Sequence, residues 1–334
     1  MDISKALPTT AQVLEDQNQP LVVHSEAMKK VLRLCRKAAA VDSTVLLHGE
    51  TGTGKSVLAQ FIHRFSSRRK QPFLTINCSA IPENLLEAEL FGYSPGAFTG
   101  ALKQGKIGLI EAANHGTLFL DEIGELPLHL QPKLLHFLSH REYIPLGRRE
   151  PRKADVRIVT ATNCDLQEMV QKKLFREDLY YRLHVLDIKI PPLREREADL
   201  LPLIHFFLDK YNRQFGSFHR ISDQALKLLL SFPWPGNIRQ LENLLEKLIV
   251  TSDPLIDVPD LPDAIRCCGH TPQERTLLPS LASAMTEVER KMICESYQRF
   301  KSSRKVAEYL KISQSKASRL IRKYCRHDED EIRT

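Results

Sequence analysis

Residues 49–56, GETGTGKS, have the residue types and the spacing of a phosphate-binding loop, GxxxxGK[ST]. An apolar run at 44–47 precedes them, and a helical pattern from about 56 to 65 follows. In that setting the backbone N–H groups and a helix N-terminus can surround a phosphate chain, with Lys55 on the β and γ oxygens and Ser56 on Mg²⁺. The alternative is a glycine-rich turn without function. The pattern predicts a site for ATP and Mg²⁺, with these loop residues in contact with the nucleotide: Gly49, Glu50, Thr51, Gly52, Thr53, Gly54, Lys55 and Ser56.

Two carboxylates, Asp121 and Glu122, end a second apolar run at 117–120. Because the carboxyl ends of parallel strands meet at one edge of a sheet, we expect these acids to lie beside the phosphate loop. Asp121 is then placed to hold Mg²⁺, and Glu122 to orient and polarise an attacking water. Without the loop, two surface acids would be the simpler interpretation. Together the two motifs predict ATP hydrolysis.

The pattern of apolar runs indicates the elements that position these residues. Runs of four to six residues alternate with helix-length segments, at 44–47, 73–76, 117–120, 156–160 and 185–190. This alternation predicts a parallel sheet covered on both faces, the α/β class. Residues 195–250 read as helical except at 232–237, and five prolines between 252 and 280 predict a linker. A compact helical pattern resumes at 281.

Composition excludes several classes of protein. The 334 residues are 42% hydrophobic, too many for a largely disordered chain. No apolar run approaches the ~18–20 residues of a membrane span, and no signal peptide is evident. The seven cysteines include no CxxC pair, which argues against a disulfide framework or a zinc site. Their one cluster with histidine (Cys267, Cys268 and His270) lacks a second ligand pair. We expect a soluble cytoplasmic protein, associated with the nucleoid.

Positive charge concentrates near the C-terminus. Between residues 299 and 326 lie ten of the 48 Lys and Arg residues and a single acid, Glu308. Two short helical patterns, at 303–310 and 314–324, flank a turn at Lys311 with Ser313 as a helix N-cap, which is helix-turn-helix spacing. A plain three-helix packing domain is the alternative. Lys311 stands where glycine is common, so we expect some backbone strain. Base edges and phosphates are the expected contacts of the open face of the second helix: Gln314, Ser315, Lys316, Ser318, Arg319 and Arg322.

A further motif lies between the two nucleotide motifs. Residues 89–92, ELFG, are followed at 96–101 by GAFTGA, in which two glycines bracket an exposed Phe-Thr pair. This closely resembles the GAFTGA signature of bacterial enhancer-binding proteins, the AAA+ activators of sigma-54 RNA polymerase. The resemblance runs from about 21 to 265 and resumes in the C-terminal module. It implies an α/β AAA+ parallel-sheet ATPase core with a helical lid, plus a small all-α helix-turn-helix domain.

The resemblance also implies a mechanism and partners. In this family the GAFTGA loops of a hexameric ring contact sigma-54, and ATP hydrolysis remodels the closed promoter complex until it opens. Phe98 and Thr99 would make that contact, within a motif whose members are Gly96, Ala97, Phe98, Thr99, Gly100 and Ala101. The implied partners are the sigma-54 RNA polymerase holoenzyme, an upstream double-stranded DNA site, further copies of this chain and a regulator acting in trans.

Further site residues follow only from the resemblance. Asn77 looks like the switch asparagine that pairs with Glu122, and Thr162 with Asn163 matches the first sensor. Arg176 and Arg182 match two arginine fingers, which reach the γ-phosphate of a neighbouring subunit; surface salt bridges are the alternative. Arg239 matches the second sensor in the lid, with helix capping or packing as the alternative.

The expected domain boundaries are an N-terminal extension (1–20), an α/β subdomain (21–192), a helical lid (193–251), a linker (252–280), a helix-turn-helix domain (281–327) and an acidic tail (328–334). Members of the family usually carry a sensory domain before the ATPase. About 20 residues precede position 21, so we expect either control in trans, as in stand-alone activators, or a missing front. Two other functions compete: a DNA-binding regulator independent of sigma-54, which an altered GAFTGA would favour, and an AAA+ unfoldase or translocase, against which the helix-turn-helix argues.

Overall fold

The computed structural model describes residues 21–97, 104–267 and 281–325. The chain divides into two compact units, and of the described residues 21–267 belong to the first and 281–325 to the second. The first unit contains the sheet and the lid, and the second contains the C-terminal helices. Among the described residues, no helix is both long and apolar enough to span a bilayer.

The core of the first unit is a parallel sheet of five strands. The strands of the unit before the lid are β1 (Val45–His48), β2 (Phe73–Asn77), β3 (Thr117–Asp121), β4 (Glu142–Tyr143), β5 (Arg152–Lys153), β6 (Arg157–Thr162) and β7 (Leu186–Lys189). The sheet has the order β2-β3-β6-β1-β7, and β4 pairs antiparallel with β5 in a separate hairpin. All five apolar runs predicted as parallel strands are confirmed, with differences only at their ends.

Helices cover both faces of this sheet. They are α1 (Glu26–Ala39), α2 (Lys55–Arg64), α3 (Glu83–Phe91), α4 (Leu109–Ala112), α5 (Gln131–His140), α6 (Leu166–Gln171) and α7 (Glu177–Leu183). Side chains of a strand alternate between faces, and β3 shows the consequence. Leu118 and Leu120 belong to the core beneath α3 and α5, whereas Phe119 belongs to the core beneath α1 and α2. The predicted α/β class with a doubly covered sheet is therefore confirmed.

The lid follows the sheet and has a core of its own. It contains α8 (Glu197–Phe215), β8 (Arg220–Ile221), α9 (Asp223–Ser231), α10 (Asn237–Thr251), β9 (Leu255–Ile256) and α11 (Asp263–Arg266). Trp234 is fully buried there, and its indole N–H donates to the carbonyl of Leu229.

Two sequence predictions about this region are wrong. Residues 195–250 are not helical throughout, because β8 pairs in parallel with β9. Residues 252–267 are not a linker, because Ile256, Leu261 and Ile265 are buried in the lid core. Prolines break helices, but they do not prevent short extended segments from burying apolar side chains. The rest of the predicted linker, 268–280, lies outside the described residues.

Within residues 281–325, the described part of the second unit, there are three helices: α12 (Leu281–Phe300), α13 (Ser303–Tyr309) and α14 (Gln314–Tyr324). Ser313 caps α14 by accepting a hydrogen bond from the backbone N–H of Lys316. The core residues are Ile293, Val306, Ala307, Ala317, Leu320 and Ile321. Lys311 has a φ of 51°, which confirms the strain expected at a turn position where glycine is common.

Candidate functional site

The phosphate loop joins β1 to α2 and has the geometry that binding of an anion requires. Gly52 and Gly54 have φ angles of 80° and 102°, in the left-handed region that glycine alone adopts without cost. A Cβ on Gly52 would also lie 2.4 Å from the carbonyl oxygen of Gly236 in the lid. Lys55 is only 6% exposed, and its Nζ donates to the carbonyl of Gly49 at 2.9 Å. The loop is thus ordered around an inward-pointing ammonium group.

The two carboxylates at the end of β3 lie at the same place, as predicted. Nζ of Lys55 is 3.6 Å from the carboxylate of Glu122, whose other oxygen accepts the backbone N–H of Asn163 at 3.2 Å. Glu122 has a φ of 51°, an unusual conformation for a non-glycine residue and one that is common at functional sites. Burial, and then the neighbouring Glu122, raise the pKa of Asp121. A cation beside Asp121 would relieve both effects.

The residues present suit a Mg²⁺ ion. Ser56 and Asp121 line one cavity and offer oxygen ligands, which Mg²⁺ prefers. Over the ranges that the structure describes, no three His, Cys, Asp or Glu residues cluster as a metal cage. Mg²⁺ usually takes only one or two protein ligands and completes its shell with phosphate and water. The site therefore has the donor set of a metal that arrives with a nucleotide.

A cavity of about 390 Å³ extends from these groups to the lid. Its polar lining includes the phosphate loop, Asn77, Asp121, Glu122 and Arg239. Apolar lining is contributed by Leu21, Val22, Met28, Leu203, Phe206 and Phe207, of which Val22, Leu203 and Phe207 belong to one packed cluster. Charged and apolar groups in one cavity match a ligand that joins a charged chain to a flat ring system.

The lid holds the phosphate loop through a series of hydrogen bonds that sequence reasoning missed. Nδ2 of Asn237 donates to the carbonyl of Thr51 at 3.1 Å, and the backbone N–H of Ile238 donates to Gly52 at 3.0 Å. Nη2 of Arg196 donates to the carbonyl of Thr53 at 2.8 Å. Three successive carbonyls of the loop are therefore bound by lid residues.

The side chain of Glu50 adds a fourth connection between loop and lid. Its carboxylate accepts two hydrogen bonds from Arg194, at 2.6 and 2.9 Å, and one from Asn237 at 3.1 Å. These bonds, those from Arg194 above all, lower the pKa of Glu50 to about 2. The only signal in the sequence was the loop-like segment at 232–237, whose last residue is this asparagine.

The predicted switch and first-sensor residues lie at the ends of β2 and β6. Asn77 lies opposite Asp121 in the β2–β3 register and lines the cavity. Its Oδ1 accepts the N–H and the hydroxyl of Ser79, at 2.9 and 2.7 Å. Nδ2 of Asn163 donates to Thr51 at 3.1 Å. The carbonyl of Thr162 accepts the backbone N–H of Gly49 at 3.2 Å, so the sensor segment and the phosphate loop are directly linked.

The arginines assigned by resemblance fall into two groups. Arg239 lines the cavity from the lid. Arg176 and Arg182 are exposed and do not line the cavity. The guanidinium of Arg176 pairs with Asp178, and Nη2 of Arg182 donates to the carbonyl of Leu138 at 2.9 Å. A single chain therefore does not bring these two to its own site, and their role as fingers stays a prediction.

The GAFTGA segment is described only at its base. Gly96 has a φ of 74° and the backbone N–H of Ala97 donates to Ser94, whereas Phe98, Thr99, Gly100 and Ala101 lie outside the described residues. Tyr93 and Lys106 exchange two backbone hydrogen bonds at 2.9 Å and close the loop. The hairpin loop between β4 and β5 supports it, because the backbone N–H of Ser94 donates to Leu146 at 2.9 Å.

The second unit presents a basic helical surface, as predicted. On α14 the apolar residues are packed inward, and most of the predicted DNA contacts are exposed. The exposed ones are Gln314, Ser315, Lys316, Arg319 and Arg322, and Ser318 is half-buried. Their contacts with DNA stay predictions for individual residues.

Comparison with families of known proteins divides the chain into three matched segments. Residues 21–189 match the Sigma-54 interaction domain, residues 194–277 match the AAA+ ATPase lid domain, and residues 279–325 match a helix-turn-helix domain. The match to the lid reaches beyond residue 252, in agreement with the burial of Ile256, Leu261 and Ile265.

Individual relatives give the same assignment. A protein of Escherichia coli K12 named as a sigma-54-dependent transcriptional regulator, UacR, is 45% identical over 322 residues, which are 93% of this chain and 54% of that protein. An uncharacterized protein in the HyuA 5′ region of Pseudomonas sp. NS671 is 48% identical over 256 residues, 76% of this chain and 87% of that one. The chain thus spans about half the length of UacR.

Among solved structures, NtrX from Brucella abortus in complex with ATP is similar, with a TM-score of 0.69 and 30% identity over 93% of this chain and 70% of that one. The NtrX complex with ADP matches equally well. From the domain matches and the relatives together, the chain belongs to the family of sigma-54-dependent transcriptional regulators, with an AAA+ domain, its lid and a helix-turn-helix domain.

Proposed function

We propose that the protein is an ATP-dependent transcription activator. It hydrolyses ATP as an oligomeric ring and remodels the closed complex of sigma-54 RNA polymerase, while its helix-turn-helix domain binds upstream DNA. The observation that carries the proposal is the cavity in which Lys55, Asp121, Glu122 and Arg239 meet, in a unit that also carries an intact GAFTGA sequence. The ATP and ADP complexes of NtrX support nucleotide binding at this site.

The residues of the cavity divide the chemical work. The N–H groups of the loop and Lys55 bind the phosphates and neutralise the charge that develops as the bond between the γ-phosphoryl group and ADP breaks. Ser56 and Asp121 would hold Mg²⁺, which when bound would supply positive charge to stabilise the phosphates during hydrolysis. Glu122 orients the attacking water and accepts its proton. Asn163, whose N–H binds Glu122 and whose side chain binds Thr51, connects the carboxylate to the loop.

The remaining parts of the proposal follow from family membership. Arg176 and Arg182 enter the site of the neighbouring subunit, which makes hydrolysis depend on assembly into a ring, and such fingers contribute ~10³–10⁵ in rate. Phe98 and Thr99 contact sigma-54 in the transition state of hydrolysis. Asn77 exchanges its bond with Ser79 for one with Glu122 as the nucleotide state changes.

Binding to sigma-54 in the transition state of hydrolysis is the sharpest test. The purified chain is mixed with sigma-54, with and without ADP and aluminium fluoride, and resolved on a native gel. We expect a complex only with the transition-state mimic, and none with Lys55→Ala or Thr99→Ala. Thr99→Ala should still hydrolyse ATP, which separates the contact from the chemistry. If wild-type protein hydrolyses ATP but forms no complex, the sigma-54-independent regulator becomes the better assignment.

A further inference from the structure

We infer that Arg196 and Asp199, at the start of α8, are positioning residues that connect the lid to two parts of the nucleotide cavity. Arg196 holds the phosphate loop, and Asp199 holds the segment before α1, which forms the side of the cavity against which the base of ATP binds. The inference rests on the proposed function, because it assumes that ATP occupies this cavity. It assigns to these two residues a role that is separate from the chemistry of the phosphates.

Asp199 holds the chain segment that precedes α1. Its side chain is fully buried, and its carboxylate accepts three hydrogen bonds: from the backbone N–H groups of His24 and Ser25 and, at 2.7 Å, from the hydroxyl of Ser25. The same hydroxyl accepts the N–H of Met28 and so caps α1. Bonds to an ionised carboxylate are about twice as strong as neutral ones. The lid therefore fixes this segment firmly.

That segment is part of the cavity. Leu21 and Val22, which precede it, line the cavity together with Met28 from α1. Leu203, Phe206 and Phe207 of α8 line it as well, and Val22 packs in one cluster with Leu203 and Phe207. Asp199 thus joins two of the elements that supply the apolar lining against which a flat ring would pack.

Arg196 holds the other wall. It is 3% exposed, lines the cavity, and binds the carbonyl of Thr53 in the phosphate loop. Its Nε is buried and finds no hydrogen-bond partner among the described residues. Burial lowers the pKa of Arg196, and the charge of Asp199 opposes that effect. A buried guanidinium with an unsatisfied N–H costs stability. The presence of Arg196 is best explained by its bond to Thr53, which holds the phosphate loop in position.

The two residues should therefore have separable effects. Without the anchor at Asp199, the segment at 21–25 can move away from the base, while the phosphate loop keeps its bonds to Asn237, Ile238 and Arg196. Affinity for ATP should fall, but affinity for a phosphate chain without a base should not. Without Arg196, the loop itself loses a bond, so both ligands should bind more weakly.

Competition binding measures this separation. Each variant is titrated with a fluorescent ATP analogue and competed with ATP, GTP or tripolyphosphate. We expect Asp199→Asn to bind ATP about tenfold more weakly, the equivalent of losing one charge-assisted bond, and to discriminate less between ATP and GTP. Tripolyphosphate should compete as in the wild type, KM for ATP should rise, and kcat should stay within about twofold. Arg196→Lys should weaken all three ligands.

Two further variants keep the test decisive. Asp209→Asn changes an exposed aspartate of the same helix and should match the wild type in every assay. Ser25→Ala removes one bond to Asp199 without adding bulk; it should show the same selective loss in milder form, and its effect should not add to that of Asp199→Asn. If Asp199→Asn fails to fold, as judged by circular dichroism, Ser25→Ala tests the inference in its place.

The outcomes distinguish the inference from the proposed function. Two results would contradict the inference that Asp199 positions the segment against which the base binds. Folded Asp199→Asn would bind ATP and GTP as the wild type does, or its affinities for tripolyphosphate and ATP would fall equally. If the wild type itself binds no ATP, the proposed function fails instead.

Discussion

The phosphate loop and the exposed helix α14 are built in opposite ways. In the loop, three successive carbonyls are bound by the lid, and Lys55 is almost buried. On α14 only the apolar face is fixed, and the polar side chains are exposed. Chemistry on a phosphate requires groups that are already in place, because reorganisation during the reaction costs rate. Reading DNA requires side chains that can reach phosphates and bases from an exposed surface.

Three residues with positive φ show a similar contrast. Glu122 and Asn237 have φ angles of 51° and 53°, and both side chains make contacts at the nucleotide site. Lys311 has a φ of 51°, but its side chain is exposed at a turn. At Glu122 and Asn237 the strained backbone thus comes with a functional side chain, whereas at Lys311 it serves only the turn. Substitutions at Asn237 and at Lys311 should therefore differ in size and in what they change.

The largest effect is expected at Lys55. Lys55→Ala removes the buried ammonium group that faces the phosphates, and loss of one such group costs about 10²–10³ in turnover. We expect ATP hydrolysis to fall by at least that factor and a fluorescent ATP analogue not to bind. Lys37→Ala, at an exposed lysine on α1, is the matched control and should behave as the wild type. Retained nucleotide affinity in Lys55→Ala would refute the assignment of the loop.

Asn237 should give the next largest effect, and it separates side-chain bonds from backbone strain. Asn237→Ala leaves the N–H of Leu193, which bonds to Oδ1 at 2.7 Å, without its partner and places alanine at positive φ. We expect a loss of about 2–3 kcal/mol in the free energy of unfolding, measured by urea denaturation of the full chain. Asn237→Gly loses the same bonds without the φ penalty.

Comparison of the two Asn237 variants separates the loss of side-chain hydrogen bonds from the cost of a positive φ. We expect the glycine variant to be about 1 kcal/mol more stable than the alanine variant, with an equally raised KM for ATP, since both lose the bond to Thr51. Equal stability of the two would show that strain at this position is negligible. An unchanged KM in both would show that the lid does not need this bond to hold the loop.

The sequence could predict those parts of the molecule that depend on neighbouring residues. The phosphate loop, the acids after β3 and the five strands each follow from short patterns, and so does the turn around Lys311. The contacts of Asn237 with Thr51 and of Asp199 with Ser25 could not be predicted, because they join residues more than 170 positions apart. No periodic pattern of apolar residues along the sequence indicates such distant pairs.

The error over residues 252–267 has a different physical origin. Five prolines between 252 and 280 predicted a linker, but Ile256, Leu261 and Ile265 belong to the lid core, together with Trp234. Proline restricts φ and removes a hydrogen-bond donor; it does not determine whether neighbouring apolar side chains are buried. These three side chains are buried because other lid residues form a core around them, and the sequence alone did not predict that core.

A smaller effect is expected on α14, and it should leave the fold unchanged. Arg322→Ala removes an exposed charge near the end of the helix, where a phosphate contact is expected. The slope of the logarithm of the DNA-binding constant against the logarithm of salt concentration is negative, and its magnitude should decrease by about 0.9. Affinity should fall similarly for all duplexes. Fluorescence anisotropy with a duplex obtained by in vitro selection measures both. Gln314→Ala, at a predicted base contact, should instead weaken the selected duplex most and leave the slope as it is.

The smallest effect, and a gain in stability, is expected at Lys311. Glycine adopts a φ of 51° without steric cost, so Lys311→Gly should stabilise the second unit by up to about 1 kcal/mol, partly offset by the greater freedom of glycine in the unfolded chain. Lys311→Ala loses the charge but keeps the strain and serves as the control. Hydrogen exchange of the α13 and α14 amides in the full chain should slow only in the glycine variant. If Lys311→Gly instead weakens protection, then the side chain of Lys311 contributes to the fold, and the contrast between Lys311 and Asn237 does not hold.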